Sequence, residues 1–290
     1  MTPFDYEFLR KLLKERSGLD LAADKQYLVE SRLMPLARRA GLAGIGELVQ
    51  KIRSGSEALT SDVVEAMTTN ETFFFRDKIP FDLLRDAILP TLLQARAQRR
   101  SLRIWSAASS TGQEPYSIAM CLKETEQALA GWRVEIVATD LSQEVLEKAR
   151  AGLYSHFEVQ RGLPINLLVK YFTQTGEIWR LNPDIRGMVQ HRQLNLLQDF
   201  SHLGRFDVIF CRNVLIYFDQ ETKAAMFDRL ARVLEPDGML MLGAAESVVG
   251  ITNAFKPCPD RRGIYVPNAA PGWRANLGAM TQGLKAVASR

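Results

Sequence analysis

From Phe4 to about Thr69 the apolar positions recur three and four residues apart: Phe4, Phe8, Leu12 and Leu13, then Leu28, Leu33 and Leu36, then Leu48, Ile52 and Leu59. That spacing is one face of an α-helix. Breaks at Ser17-Gly18 and across residues 41–46 end such helices, so residues 1–69 predict a small all-helical N-terminal domain. A polar linker follows over residues 70–80, and beyond it the period changes. Residues 102–107 (LRIWSA), 134–139 (VEIVAT), 206–211 (FDVIFC) and 239–244 (MLMLGA) are short, nearly continuous apolar runs separated by helix-like segments. Strands of that kind are buried on both faces. They predict a parallel sheet in a doubly wound, Rossmann-like α/β domain over residues 81–267. Turn signals at Thr175-Gly176 and Asn182-Pro183-Asp184 flank IWRL, and MVQHRQL follows. These predict a small antiparallel β-hairpin insert at about 175–194. The last strand is expected at 263–266, and the tail 268–290 has little periodicity.

Composition narrows the class. With 47% hydrophobic and 24% charged residues over 290, the chain is a folded globular protein rather than a disordered one. Lys+Arg 37 against Asp+Glu 33 gives a net charge of +4, short of the basic excess of a nucleic-acid binder. The charge is uneven, however. Between residues 32 and 53, Arg32, Arg38, Arg39, Lys51 and Arg53 stand against Glu47 alone, which suits a docking face and equally a solvated one. Cys121, Cys211 and Cys258 are far apart without a CxxC, and His156, His191 and His202 share no ligand spacing, so neither a disulfide framework nor a metal site is expected. The opening MTPFDYEFLRKLLKERSG is amphipathic and acidic early, unlike a secretory signal, and no apolar run approaches the roughly 18 residues of a membrane span. A cytoplasmic protein without membrane insertion is the expectation.

The candidate chemistry lies where strands end. In an open α/β sheet the ligand sits beyond the carboxyl ends of the strands. The first such turn reads SAASSTGQEP over residues 106–115, with Gly112 its only glycine, so it is no G-x-G-x-x-G. Glu114 stands beside the helix N-terminus where a pyrophosphate would bind, and disfavours an anion there. A cationic, phosphate-free nucleoside suits the same place, and S-adenosylmethionine carries an ammonium and a sulfonium. Asp140 ends the second strand, 28 residues past Gly112, where a carboxylate accepts hydrogen bonds from ribose hydroxyls. It is equally placed to cap the helix opening at Leu141-Ser142. The strand at 206–211 exits through Arg212, Asn213 and Tyr217, beside the same crevice.

Five separated motifs then occur in order: residues 68–76 (TTNETFFFR), 105–117 (WSAASSTGQEPYS), 138–140 (ATD), 195–197 (NLL) and 206–219 (FDVIFCRNVLIYFD). In these the chain resembles the bacterial chemotaxis receptor methyltransferases, from the N-terminal helices to Val266. The resemblance implies methyl transfer from S-adenosylmethionine to glutamate side chains of chemoreceptors, giving methyl esters, by a monomer that meets the receptor's cytoplasmic helical region. It implies cofactor contacts from Asn70, Thr72, Arg76, Glu114, Asp140, Asn195, Leu196, Arg212 and Asn213. Arg76 and Tyr217 would lie nearest the methyl group, and Arg32 and Arg38 would meet the receptor from an N-terminal helix. Two departures stand out: Gln113, where the family often has glutamate, and a stretch at 172–178 shorter than the glycine-rich loop of members that tether to a receptor peptide. Other readings are a nucleic-acid or amine methyltransferase and a non-catalytic S-adenosylmethionine sensor. The first commonly has an Asn/Asp-Pro-Pro-aromatic turn where Asn213-Val214-Leu215-Ile216 lacks proline; the second has no need of Arg76 and Tyr217 together.

Overall fold

The helical periodicity of the first 67 residues becomes α1 (Pro3–Ser17), α2 (Gln26–Arg39), α3 (Ile45–Arg53) and α4 (Glu57–Met67) in a computed structural model. The structure describes residues 1–259, 261 and 263–268, so all but the first residue of the expected tail 268–290 lies outside the described residues. Thr2 and Asp5 form a reciprocal capping box at the start of α1, with Pro3 in its first turn. The inward faces bury Leu9, Leu13, Val29, Leu33, Leu48, Val49 and Val63 together, whereas Phe4, at the head of the pattern, is exposed.

Past the linker come α5 (Ile79–Leu83), a π-helical turn (Leu84–Ile88) and α6 (Leu89–Ala95). The α/β domain then alternates β1 (Ser101–Ala107), α7 (Gln113–Glu124), β2 (Arg133–Asp140) and α8 (Gln143–Ala151). An excursion through β3 (Leu153–Ser155), α9 (His156–Gln160), α10 (Ile165–Tyr171), β4 (Phe172–Thr175), β5 (Ile178–Leu181) and α11 (Pro183–Arg186) leads to β6 (Val189–Gln193). The chain closes with β7 (Phe206–Cys211), α12 (Gln220–Val233), β8 (Leu234–Leu242), β9 (Phe255–Pro257) and β10 (Ile264–Pro267).

The main sheet has the order β6-β2-β1-β7-β8-β10-β9. Its first five strands are parallel, and β10 runs antiparallel to both neighbours. Apolar residues meet in register, Ile104 beside Ile136 and Val208, Trp105 beside Val137 and Ile209. On one face Trp105 packs against Phe200 and Phe206; on the other Phe210 stacks on Phe81 of α5. The chain leaves β1 toward β2 and leaves β7 toward β8, on opposite sides. The crevice therefore opens between β1 and β7 at their carboxyl ends.

The hairpin insert expected at 175–194 is corrected. A small antiparallel sheet exists, but its order is β3-β5-β4, closed by a two-residue turn at Gly176-Glu177. Residues 189–193 belong instead to the main sheet as its parallel edge strand, with Ala138 beside His191. An edge strand is covered on one side only, so β6 exposes Gln190, Arg192 and Gln193 and lacks the continuous apolar run of its neighbours.

Candidate active site

Three loops converge at the carboxyl end of the sheet. After β1 the chain turns through Ala108 and Ser110, both in the left-handed region (φ 56° and 49°), and enters α7 through Gly112 (φ 95°). A side chain at Gly112 would press on Tyr116 Cε2 at 2.9 Å and Ala149 Cβ at 3.0 Å, so only glycine fits there. Ser110 N–H donates to Asp140 Oδ2 at 2.8 Å, and Ser110 Oγ donates to the Asn70 carbonyl at 2.8 Å. The loop after β1 is thereby tied to the end of β2 and to the inter-domain linker. That linker is itself strained, with Phe75, Asp77 and Lys78 at positive φ. Phe75 N–H donates to Ser117 Oγ at 2.9 Å, and Phe74 is buried against Tyr154 and Phe172. Left-handed non-glycine residues gathered at one place are a mark of functional loops.

Between these loops lies a cleft. The N-terminal domain supplies one wall through Ser17, Leu19 and Met67, and the linker continues that wall from Thr68 to Thr72. Two carboxylates are buried in it. Asp140 accepts from Ser110 N–H and from Ser142 N–H at 3.0 Å, and burial pushes its carboxyl above the ordinary range. It does not cap the next helix: Ser142 does, accepting from Val145 N–H. Glu114 accepts from Ser106 Oγ and from Arg212 Nη1, each at 2.8 Å. Burial raises its carboxyl too, against the opposing pull of Arg212. Arg212 divides its charge, with Nη2 2.6 Å from Asp77 Oδ2 and 3.0 Å from the Arg76 carbonyl. Its Nε is buried with no partner among the described residues. Arg76 lies half-buried over the Phe73 ring, donating to the Glu71 carbonyl at 2.8 Å.

Two family models match the chain: "CheR methyltransferase, all-alpha domain" over residues 5–68 and "CheR methyltransferase, SAM binding domain" over residues 70–264. The chain belongs to the CheR methyltransferase family. It is 45% identical over 256 residues to "Chemotaxis protein methyltransferase 1" of Pseudomonas aeruginosa, covering 87% of this chain and 93% of that protein. It is 42% identical to "Chemotaxis protein methyltransferase Cher2" of Pseudomonas putida (87% and 93% covered) and 37% identical to "Chemotaxis protein methyltransferase" of Escherichia coli (85% of each). As a CheR-family member it is an S-adenosylmethionine-dependent methyltransferase of chemotaxis.

The cleft of this CheR-family chain fits that cofactor. Glu114 shares the buried Arg212 guanidinium with Asp77, and Asp140 makes no ion pair among the described residues, an excess of negative charge suited to a sulfonium and an ammonium. The free Arg212 Nε suits the cofactor's own carboxylate. Asn70, Thr72, Arg76, Glu114, Asp140, Asn195, Leu196, Arg212, Asn213 and Tyr217 all line the cleft. Asn195 has a second task, since its Nδ2 donates to the Arg16 carbonyl at the end of α1 at 2.7 Å. Arg32 and Arg38 are not among the lining residues. Arg38 is exposed, whereas Arg32 is half-buried and donates to the Met67 and Thr68 carbonyls (2.7 and 2.9 Å) and to Thr69 Oγ1 (3.0 Å). Arg32 is therefore engaged within the chain, closing the C-terminus of α4 and bracing the linker. Its charge counted toward the basic face, and the carbonyls that consume it cannot be read from charge spacing.

Two carboxylates escaped the sequence reading. Glu65 of α4 accepts from Ser142 Oγ and from Glu144 N–H at 2.9 Å, so the N-terminal domain caps α8. Glu246, in the GAAES stretch after β8, accepts four backbone N–H groups around Asn213. The signal for Glu246 was present: a lone acid among small residues beyond a strand's carboxyl end, the same rule that selects Asp140.

Proposed function

We propose that the chain methylates glutamate side chains in the cytoplasmic helical region of chemoreceptors, forming γ-glutamyl methyl esters, in the cytoplasm. Among the described residues no helix is long and apolar enough to cross a membrane, and no cluster of His, Cys, Asp and Glu is arranged for a metal ion. The observation that carries the reading is Arg76 and Tyr217 lining one cleft with the buried pair Glu114 and Asp140, with no histidine or cysteine in its lining. A glutamate carboxylate titrates near 4.3 and is already ionised at neutral pH, so it attacks without a general base. When bound, S-adenosylmethionine supplies an electrophilic methyl group carried on a sulfonium.

The protein's own work is placement. Holding two groups for in-line attack is worth roughly 7 to 11 kcal/mol by intramolecular analogy. Asp140 and Glu114 hold the donor, while Arg76 steers the incoming carboxylate and Tyr217 hydrogen-bonds one of its oxygens. Arg76 is held by the Glu71 carbonyl and the Phe73 ring, so it attracts the substrate without forming the tight bidentate pair that would blunt its nucleophilicity. Incubation with a methyl-labelled donor and receptor cytoplasmic fragments tests the reading. Label released by mild base is a glutamyl ester; base-stable label on protein or nucleic acid overturns it.

A further inference from the structure

We propose that Glu246 is a positioning residue for the transfer step: its buried carboxylate sets the backbone of residues 213–217 at the cleft. The proposal rests on the reading above that this turn, through Tyr217, serves methyl transfer. Glu246 is 8% exposed and makes no salt bridge among the described residues. Four backbone donors surround it instead. Oε2 accepts from Gly243 N–H at 2.7 Å and Asn213 N–H at 2.8 Å, and Oε1 accepts from Val214 N–H at 3.0 Å and Leu215 N–H at 2.8 Å.

Asn213 stands in the left-handed region at φ 59°, which asparagine tolerates better than other non-glycine residues but which still has to be held in place. The carboxylate holds it by fixing the N–H groups of Asn213 and the two residues after it. The chain then closes a 3₁₀ turn at Leu215–Tyr217, and the Tyr217 carbonyl accepts from Asp20 N–H at 2.9 Å. The turn is thus gripped by Glu246 on one side and by the N-terminal domain on the other. Gly243 completes the grip. A Cβ there would lie 2.8 Å from Asn213 Nδ2 and 2.8 Å from Glu246 Oε2, so glycine lets the carboxylate lie flush on the backbone. The Tyr265 hydroxyl donates to the Glu246 carbonyl at 3.3 Å and ties this clamp to β10.

An amide cannot replace this carboxylate, because each oxygen takes two N–H groups and a glutamine would point its NH₂ at two donors. Glu246→Gln in the full chain, assayed with labelled S-adenosylmethionine and a receptor fragment that the wild-type methylates, is expected to lower kcat at least about 30-fold while the Kd for S-adenosylhomocysteine rises no more than about fivefold. Glu246→Asp recovers part of kcat. Gly243→Ala, which keeps the charge and disturbs the clamp from its other side, reproduces the kcat-selective loss. Combining Glu246→Gln with Tyr217→Phe lowers kcat no further than the worse single variant, as for residues acting as a unit. Wild-type kcat in Glu246→Gln, equal losses in kcat and affinity, or fully multiplicative losses in the double variant overturn the proposal. A fully active Tyr217→Phe refutes the underlying role of that hydroxyl, and the kcat of Glu246→Gln then decides the Glu246 assignment by itself.

Discussion

At the scale of single residues, the cleft is governed by where buried negative charge is held. Asp140 keeps its carboxylate on two backbone N–H groups and leaves the rest of its acceptor capacity facing the cleft. Asp140→Ala is expected to weaken S-adenosylhomocysteine by about 1.5 to 3 kcal/mol, the loss of a charge-assisted hydrogen bond, measured by titration calorimetry. Unchanged affinity in the folded variant would reduce Asp140 to a brace between Ser110 and Ser142. The pH dependence is set by the same burial. Both Glu114 and Asp140 sit above their ordinary values of 4.5 and 3.8, so affinity for the cationic ligand falls as pH drops through those raised values, beginning above pH 4.5. For the ligand-free protein the sign is opposite. A buried carboxyl with a raised folded value costs stability when ionised, and acid relieves that cost. Calorimetry and melting between pH 7.5 and 4.5 should therefore show affinity lost with no parallel loss of stability from these two groups. If the melting temperature of the ligand-free protein falls in step with affinity over this range, general unfolding explains the loss instead.

At the scale of elements, the caps show what sequence pattern reveals and what it conceals. Strand runs such as FDVIFC carry their signal in consecutive residues and formed as their sequence implies, while the Thr2–Asp5 capping box at the start of α1 was not read from the sequence. The small sheet was only half legible. IWRL pairs with residues 172–175 across Gly176, but β3 spans just three residues and β6 has the polar face of an edge strand, so neither announces its partner. In the cleft, residues next to a strand's carboxyl end were legible because the open α/β sheet places ligands there. Glu65 and the carbonyls that hold Arg32 were not, since those contacts join segments 35 to 79 residues apart. Asp219 joins both kinds of signal. It pairs with Lys14 of α1 at 2.6 Å and caps α12 by accepting from Thr222 N–H at 2.8 Å, contacts that, the Lys14 one foremost, hold its carboxyl down at about 2. This depressed group contributes stability that is present above its unfolded value of 3.8 and is lost as pH falls from about 4 to about 2. Asp219→Ala should cost about 1 kcal/mol, mostly the cap, and lower the melting temperature by roughly 2–4 °C. Lys14→Ala should cost less, because an exposed ion pair is worth about 0 to 1 kcal/mol. Equal losses in the two variants would mean that the inter-domain pair matters more than the cap.

At the scale of the whole molecule, the helical domain is part of the cleft rather than an appendage to it. Asn195 holds the end of α1, Asp20 N–H holds the Tyr217 carbonyl, and Glu65 caps α8, so separate contacts seat the bundle against the α/β domain beside the cleft. The basic surface of α2 belongs to the same body, and its two predicted receptor contacts now part company. Arg38 is exposed and can meet the acidic face of a receptor helix through charge complementarity. Arg32 spends its guanidinium on Met67, Thr68 and Thr69, which themselves line the cleft. Arg38→Glu is therefore expected to raise the KM for receptor, to leave S-adenosylhomocysteine affinity unchanged, and to flatten the salt dependence of the wild-type reaction. Arg32→Glu is expected to weaken S-adenosylhomocysteine and lower the melting temperature as well, because it places a carboxylate against carbonyls that need a donor. Steady-state kinetics at low and high salt, alongside calorimetry on both variants, separates the two. Normal receptor KM at low salt in Arg38→Glu would move the docking surface off α2, and unaltered cofactor affinity in Arg32→Glu would show that the linker holds its shape without that arginine.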